Sequence, residues 1–517
     1  MALFQLRDIL FSPRILALCF SVYLIIGVLY RIFFHPLRKI PGPWYAAATY
    51  WYEFYQDVIL NGNYIKKYPD LHAKYGSVVR VSPSRVHISD PDYFKEPYGS
   101  GTKYTKDPDF FQSAGGIKYS IIMLIDPEVH KERKNTVQSL FSTKHVDHLA
   151  PVVLDVVQRA MAKAQRAFKN DQPINLQPFY QCITVDTIMP VLFDRQLNFV
   201  DSDEDEPPFL SMLGKFVDKF FLTKHFPMIS HIAMSLPLSV ARTVLPDYVA
   251  FREQCATWIK EDEEKQRNGK NMMTNGRNTY FGLLLEAEKS ERLQKLGQEA
   301  LIDEALSVCF AGTDTNSLAL SFGTYFLLRN PDKLQKMLDE LKDAPTNRDG
   351  LYEYQTVSKL PYLTAVIKEI LRLGSPVPGI VPRRVPAGGA SVGGHYLPEG
   401  LLTLSVSKTT VSQALRLINV NPDVYLEPER FIPERWLGKA GWELEKYFVP
   451  FSKGPRACIG LNIAYLELYV CFANLFSRFE MELYETNEST LKWVDNGVSR
   501  LLNPMKVKIK SIRGVGQ

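Results

Sequence analysis

The chain has little cysteine for its length: six in 517 residues, at Cys19, Cys182, Cys255, Cys309, Cys458 and Cys471. They are too scattered for a disulfide scaffold, and no CxxC pair marks a structural zinc site. Disulfide-free folding suits a reducing, cytosol-facing compartment. Charge of one sign is also scarce. Lysine and arginine number 61 against 56 acidic residues, a formal balance of +5. That excludes a polybasic nucleic-acid binder and an acidic disordered chain. Internal repeats and low-complexity tracts are absent. What remains, 46% hydrophobic and 23% charged residues, is globular, and a chain this long buries a large core without staples.

Residues 15–34 read ILALCFSVYLIIGVLYRIFF, with Arg31 the only charge. About 20 mostly apolar residues cross a bilayer, and Arg31 stands near the end, where its side chain reaches the headgroups. Arg31, Arg38 and Lys39 follow the run, while Arg7, Asp8 and Arg14 precede it. The larger positive count keeps the C-terminal side cytoplasmic. A cleaved signal peptide is the rival, but the run is long for one and lacks a good small-residue cleavage site. Pro41-Gly42-Pro43-Trp44 makes a stiff turn. The expected division is an anchor and hinge over 1–40 and a catalytic domain over 41–517.

Short strand-like pieces, Val78 to Val81 and Val86 to Ile88, precede a mostly helical stretch over 151–341. Charged runs at 201–206 and 260–267 read as solvated faces. Residues 226–237 are apolar and broken by proline, either core or a surface patch resting on a bilayer. The longest expected helix covers 299–330, closed by Pro331. Its middle reads Ala311-Gly312-Thr313-Asp314-Thr315-Asn316. A glycine inside a helix costs about 1 kcal/mol relative to alanine, and four buried polar residues need partners. Such broken rules mark a functional site, unless the threonines merely bond back to helix carbonyls.

The deciding pattern is Phe451-Ser-Lys-Gly454-Pro-Arg456-Ala-Cys458-Ile-Gly460, or FxxGxRxCxG. A chance match is on the order of 10⁻⁴ at average composition. A thiolate that binds iron needs backbone N–H groups aimed at its sulfur. Flanking glycines let the chain turn tightly against a flat cofactor, Arg456 offers a cationic fork for a carboxylate, and Phe451 keeps the sulfur dry. An inert buried cysteine in a glycine-rich loop is the bland alternative.

With this motif the chain resembles the cytochrome P-450 family of heme-thiolate monooxygenases. The resemblance implies a mainly α fold with a smaller β-rich lobe, preceded by one transmembrane helix, and heme b held by Cys458 as axial iron ligand. Glu369-Ile-Leu-Arg372 matches the family's ExxR. Of the two segments able to complete it, Pro433-Glu-Arg435-Trp436 fits the frame, so Arg435 is the expected partner and Arg430 the decoy. Ala311 to Thr315 matches the oxygen-activation motif, with Asp314 and Thr315 as proton relay and a helix distortion at Gly312. Asp126, His130, Arg133 and Lys134 resemble the fungal DxxxHxxRR, in which His130 and Lys134 face heme propionates. Lysine there replaces a bidentate fork by a point charge, for which Arg133 is a candidate substitute. Arg383 after Pro382 matches another propionate ligand.

The resemblance further implies dioxygen as co-substrate and electrons from NADPH through a separate membrane-bound cytochrome P-450 reductase, since no flavin-binding extension is seen. It implies the endoplasmic reticulum membrane, single-pass, with the catalytic domain facing the cytosol. Residues 41–57 and 71–76 look like filamentous-fungal enzymes of the trichodiene-oxygenase kind, which implies a small apolar terpenoid or polyketide-derived substrate. Segments 114–122, 310–315 and 377–381 are candidate pocket walls. A heme-thiolate isomerase or dehydratase that uses no dioxygen is the alternative. A second departure concerns Pro398-Glu-Gly400, where the family continues directly into Thr-x-Val. Here LLTLSVSK, residues 401–408, intervenes before Thr409-Thr410-Val411. It is either a gene-model artefact or a genuine longer hairpin, and a genuine insertion would allow a non-functional variant.

Overall fold

A computed structural model gives the fold. It describes residues 12–229, 232, 236–268, 273–274, 277–290, 293, 296–399 and 409–514. The chain divides into two compact units.

The first unit takes the chain as far as Pro97, with Thr102–Asp107 and Ile380–Gln413. Helix α1 (Pro13–Leu29) begins where Ser12 accepts the Ile15 N–H and Pro13 takes the first helical position. With the π turn that follows it forms an apolar helix over Pro13–Phe34, 22 residues, long enough to cross a membrane. Further on, β1 (Val78–Arg80) and β2 (Arg85–Ile88) pair as an antiparallel hairpin, Val79 opposite His87. Three more short strands, β3 (Thr105–Lys106), β4 (Arg383–Arg384) and β5 (Thr410–Ser412), complete a sheet of order β1-β2-β5-β4-β3. β5 runs parallel to β2 and antiparallel to β4. Val86, Ile88 and Val411 join Leu37, Ile40 and Val392 in its core, as β-branched residues do on a pleated surface. The intervening LLTLSVSK segment lies outside the described residues; Thr410 enters the sheet directly after it.

The second unit holds the rest and is mainly helical. Its principal helices are α2 (Pro127–Val137), α3 (Leu176–Phe193), α4 (Pro246–Arg267), α5 (Tyr280–Lys289), α6 (Gln298–Arg329), α7 (Pro361–Gly374) and α8 (Leu461–Arg478). Helix α6 spans 32 residues, one residue from the expected bounds at either end. It packs along α3, which is apolar and buried all round. A small sheet is added by Phe479–Tyr484, Lys506–Ile512 and Ile174–Asn175.

Two local expectations change. The charged run 260–267 is not wholly a solvated face: Asp262 is buried in α4, where Lys265 donates to it, and burial pushes its carboxyl up to about 6. Within 226–237, partly outside the described residues, Met228 and Ile232 are exposed, which fits a surface patch better than core.

Candidate active site

The loop that carries Cys458 is built by its own backbone. The Cys458 N–H donates to the Phe451 carbonyl at 3.0 Å, and Ala457 N–H to Gly454 at 3.0 Å. Gly454 sits at φ +68°, and a Cβ there would lie 2.3 Å from the Tyr98 carbonyl oxygen. Left-handed backbone and close approach both require glycine here. Gly460 is at φ −81°, and its hypothetical Cβ would only touch Cys458 Sγ at 3.8 Å. Its use lies in its N–H, which with that of Leu461 donates to the sulfur and lowers the thiol pKa. Lys134 lowers it too, but burial is the larger effect and raises it. Cys458 itself is exposed. Phe451 packs its ring on Tyr465, 5.7 Å between centroids.

Helix α2 starts beside this loop. Asp126 is its N-cap, accepting from Glu128 and Val129, with Pro127 next. His130 and Lys134 then share a face, four residues apart. Lys134 Nζ donates to the Pro455 carbonyl at 3.0 Å. Arg456 spreads its two terminal nitrogens over the carbonyls of Leu124, Ile125 and Asp126, at 2.8, 2.9 and 3.3 Å. The cysteine loop is thereby tied to the start of α2. Arg133 does not stand in for Lys134. It is buried, and its guanidinium reaches Glu304 at 3.0 Å and the Tyr119 carbonyl. One residue along a helix turns a side chain by about 100°, so neighbours on α2 serve different sites. Arg383 lies in the first unit, in β4, where it donates to the carbonyls of Pro382 and Val381.

Helix α6 runs unbroken through Gly312, so the expected distortion is not present. Gly312 has a packing reason: a Cβ would come within 2.7 Å of Ile188 on α3. The Thr315 hydroxyl bonds back to the Ala311 carbonyl at 2.8 Å. Asp314 turns toward α3, where Gln181 donates to Oδ1 at 2.6 Å. Burial raises its pKa, partly offset by Arg500 and by hydrogen bonds from Gln181 and Gln177. Asn316 faces α8 and donates to the Ala464 carbonyl and to Glu467.

A third cluster supports the loop from behind. Glu369, fully buried, accepts from Arg372 Nε and Nη2 at 2.8 and 2.7 Å, from Arg435 Nε at 3.1 Å, and from the Trp436 indole at 2.9 Å. Arg372 also binds the Asn419 carbonyl, and Asn419 Oδ1 accepts the Val449 N–H, two residues before Phe451. Arg430 is exposed and pairs with Glu427. Trp436 was read only as part of its segment, not as a donor to Glu369, and Gln181 and the adjacent acids Asp303 and Glu304 escaped sequence reading. Two neighbouring acids inside an apolar helix were the signal available for the last pair.

The site thus joins a thiol with two N–H donors, two nearby cations and a buried Glu–Arg–Arg network, and the family model of cytochrome P-450 matches the chain over residues 43–510. The chain belongs to the cytochrome P-450 family. It is 48% identical over 95% of its length, and 94% of the relative's, to "Cytochrome P-450 monooxygenase BOT1" of Botryotinia fuckeliana. It is 37% identical over 97% of its length, and 94% of the relative's, to "Cytochrome P-450 monooxygenase ankB" of Aspergillus thermomutatus. Against "Cytochrome P-450 monooxygenase aneF" of Aspergillus aculeatus it is 34% identical over 94% and 97%. A cytochrome P-450 with these relatives is a heme monooxygenase, an oxidoreductase that incorporates oxygen. The residues around Cys458 fit the heme that the family implies.

Proposed function

We propose that this cytochrome P-450 hydroxylates, or otherwise oxidises, an apolar terpenoid or polyketide-derived metabolite. It uses dioxygen and NADPH-derived electrons that arrive through a separate reductase. The observation that carries this reading is the exposed Cys458 sulfur, held by the Gly460 and Leu461 N–H groups.

Cys458 would hold the iron of heme b through its sulfur, with Phe451, Gly454 and Gly460 shaping its loop. Arg456, His130 and Lys134 would supply polar and cationic groups for the propionates. Heme, when bound, supplies oxygen activation and one-electron chemistry, and a thiolate ligand favours O–O cleavage. The protein's part is positioning and proton supply. Burial raises the Asp314 pKa, so its carboxyl takes up a proton more readily than an exposed one. Thr315 Oγ1, turning from the Ala311 carbonyl, passes it into the site. Glu369, Arg372 and Arg435 hold the loop through Asn419 and Val449. Segments 114–122 and 310–315, both in the second unit, are the proposed walls of the substrate site. The 1–40 segment acts as anchor and hinge for the 41–517 domain, in the endoplasmic reticulum membrane, with that domain in the cytosol.

The test is a reduced, carbon-monoxide-bound difference spectrum of membranes that carry the chain, beside Cys458→Ala. A red-shifted Soret band lost in the variant is expected, and its absence from both would overturn the reading. With a reductase and labelled dioxygen, label must enter the product. Thr315→Ala should uncouple NADPH use from product; unchanged turnover would favour the isomerase alternative.

A further inference from the structure

Asp303 and Glu304 are adjacent acids in the N-terminal half of α6, and both are buried. Buried carboxylates need several donors. Here two of those donors are main-chain groups of one loop. Ile121 N–H donates to Glu304 Oε2 at 2.8 Å, and Tyr119 N–H to Asp303 Oδ2 at 3.2 Å. Arg133 of α2 grips the same place from its other side. Its Nη1 reaches Glu304 Oε2 at 3.0 Å and the Tyr119 carbonyl at 2.5 Å. Tyr280 of α5 donates to Glu304 Oε1 at 2.5 Å, and Arg252 of α4 to Asp303 Oδ1 at 3.1 Å.

The other end of the loop has separate ties. Gly115 N–H donates to Thr223 Oγ1 at 2.9 Å, and the Tyr248 hydroxyl to the Gly116 carbonyl at 3.2 Å. Between these ends the loop has little regular structure of its own. One short turn, Ala114–Gly116, includes Gly115 and Gly116 at φ 72° and 67°. Such a segment takes its position from what pins it. Gly115 and Gly116 also line a cavity next to Phe216 and Tyr248.

We propose that Asp303 and Glu304 are specificity-determining positioning residues: they pin the loop 117–122 at one depth along α6. Through Arg133 they also lock it to the helix that carries His130 and Lys134. The inference rests on the reading of this loop as a wall of the substrate site. Which ligands fit is then set by two carboxylates that touch only loop amides and neighbouring side chains.

The test uses the full heme-loaded chain in detergent. Glu304→Leu with Arg133→Met removes both charges together and leaves no orphaned ion, while Ile121 N–H loses its acceptor. Asp303→Leu frees Tyr119 N–H but leaves Arg252 its second acid, Glu299. Tyr280→Phe is the control, since it touches the same carboxylate and not the loop. Two readouts are taken. The first is the rate of tryptic cleavage after Lys118, which follows local opening and needs no heme. The second is the dissociation constant of 1-phenylimidazole relative to imidazole, from their spectral shifts. Imidazole needs only the iron, whereas the aryl group must fit against the surrounding walls.

Loop release should speed cleavage about tenfold and weaken 1-phenylimidazole relative to imidazole about tenfold, the effect of one lost hydrogen bond to a charged group. Tyr280→Phe should leave both near wild type. Cleavage and binding ratio both within about twofold of wild type, the range of unlinked changes, overturn the proposal. Faster cleavage with an unchanged ratio also overturns it, because the loop would then be pinned without shaping the site. If the double variant fails to fold, Asp303→Leu decides. A wild-type chain with no carbon-monoxide band and no imidazole shift overturns the heme-thiolate reading instead, and cleavage still reports whether the acids pin the loop.

Discussion

Asn316 on α6 donates to Glu467 on α8, a buried carboxyl nine residues beyond Cys458. The link runs between the helix of the oxygen-activation motif and the helix that leaves the cysteine loop. Burial pushes the Glu467 carboxyl up to about 8, only partly countered by Asn316.

The raised value makes a pH prediction. Between about 4.5 and about 8 the folded chain holds a proton on Glu467 that the unfolded chain has released. This group therefore weakens the fold as pH rises through that window. Glu467→Gln keeps a side-chain oxygen to accept from Asn316 and removes the titration. Its melting temperature relative to wild type should rise from pH 5 to pH 9. A difference that stays flat across that range would refute the assignment.

His87 works in the opposite direction. It is buried in β2, stacked on Tyr68 and bonded to His72 Nε2 at 2.6 Å. Burial, then the charges of His72 and Arg85, hold its pKa well below 6.5. The unfolded chain takes up the proton first, so stability is intact above about 6.5 and lost as pH falls below it. Thermal melts from pH 7.5 to 5 should show this loss, and His87→Gln should reduce it, leaving the share of His72 and His35, whose pKa values burial also lowers.

Two glycines of the cysteine loop separate by geometry. Gly454→Ala places a methyl 2.3 Å from the Tyr98 carbonyl oxygen at φ +68°. It should destabilise by about 1–3 kcal/mol or more, the cost of a strained backbone position. Gly460→Ala makes an ordinary 3.8 Å contact with Cys458 Sγ and should cost less. Calorimetric melts of the two variants settle the order.

The arginines of the two neighbouring PER segments should differ as well. Arg430 is exposed and pairs with Glu427 at the surface, so Arg430→Lys should change stability by less than about 0.5 kcal/mol. Arg435 binds buried Glu369 and the carbonyls of Leu426 and Glu427. Arg435→Lys cannot reproduce that fork and should cost about 1–3 kcal/mol, with a smaller fraction of heme-loaded chain. Urea melts and the ratio of Soret to protein absorbance measure both.

Much of this protein was legible before any fold was known, for local reasons. The apolar run before Phe34, the hairpin near Val78 and the long helix closed by Pro331 follow from periodicity, chain length and proline. The Cys458 loop was legible because its glycines and cysteine must stand at fixed short spacings. The choice of Arg435 over Arg430 followed a local frame, and the geometry seats Arg435 on Glu369.

Only the tertiary structure decided which way neighbouring polar residues turn. Arg133 and Lys134 are adjacent, yet one serves Glu304 and the other the Pro455 carbonyl. Asp314, Thr315 and Asn316 are consecutive, yet Asp314 accepts from Gln181, Thr315 donates to the Ala311 carbonyl and Asn316 donates to Glu467. Gly312, expected to bend its helix, instead makes room for Ile188. A sequence states spacing along the chain, and spacing fixes the face of a helix on which a residue lies. Which partner waits opposite that face depends on contacts between segments more than a hundred residues apart, such as Tyr119 with Asp303, and only the folded chain brings those together.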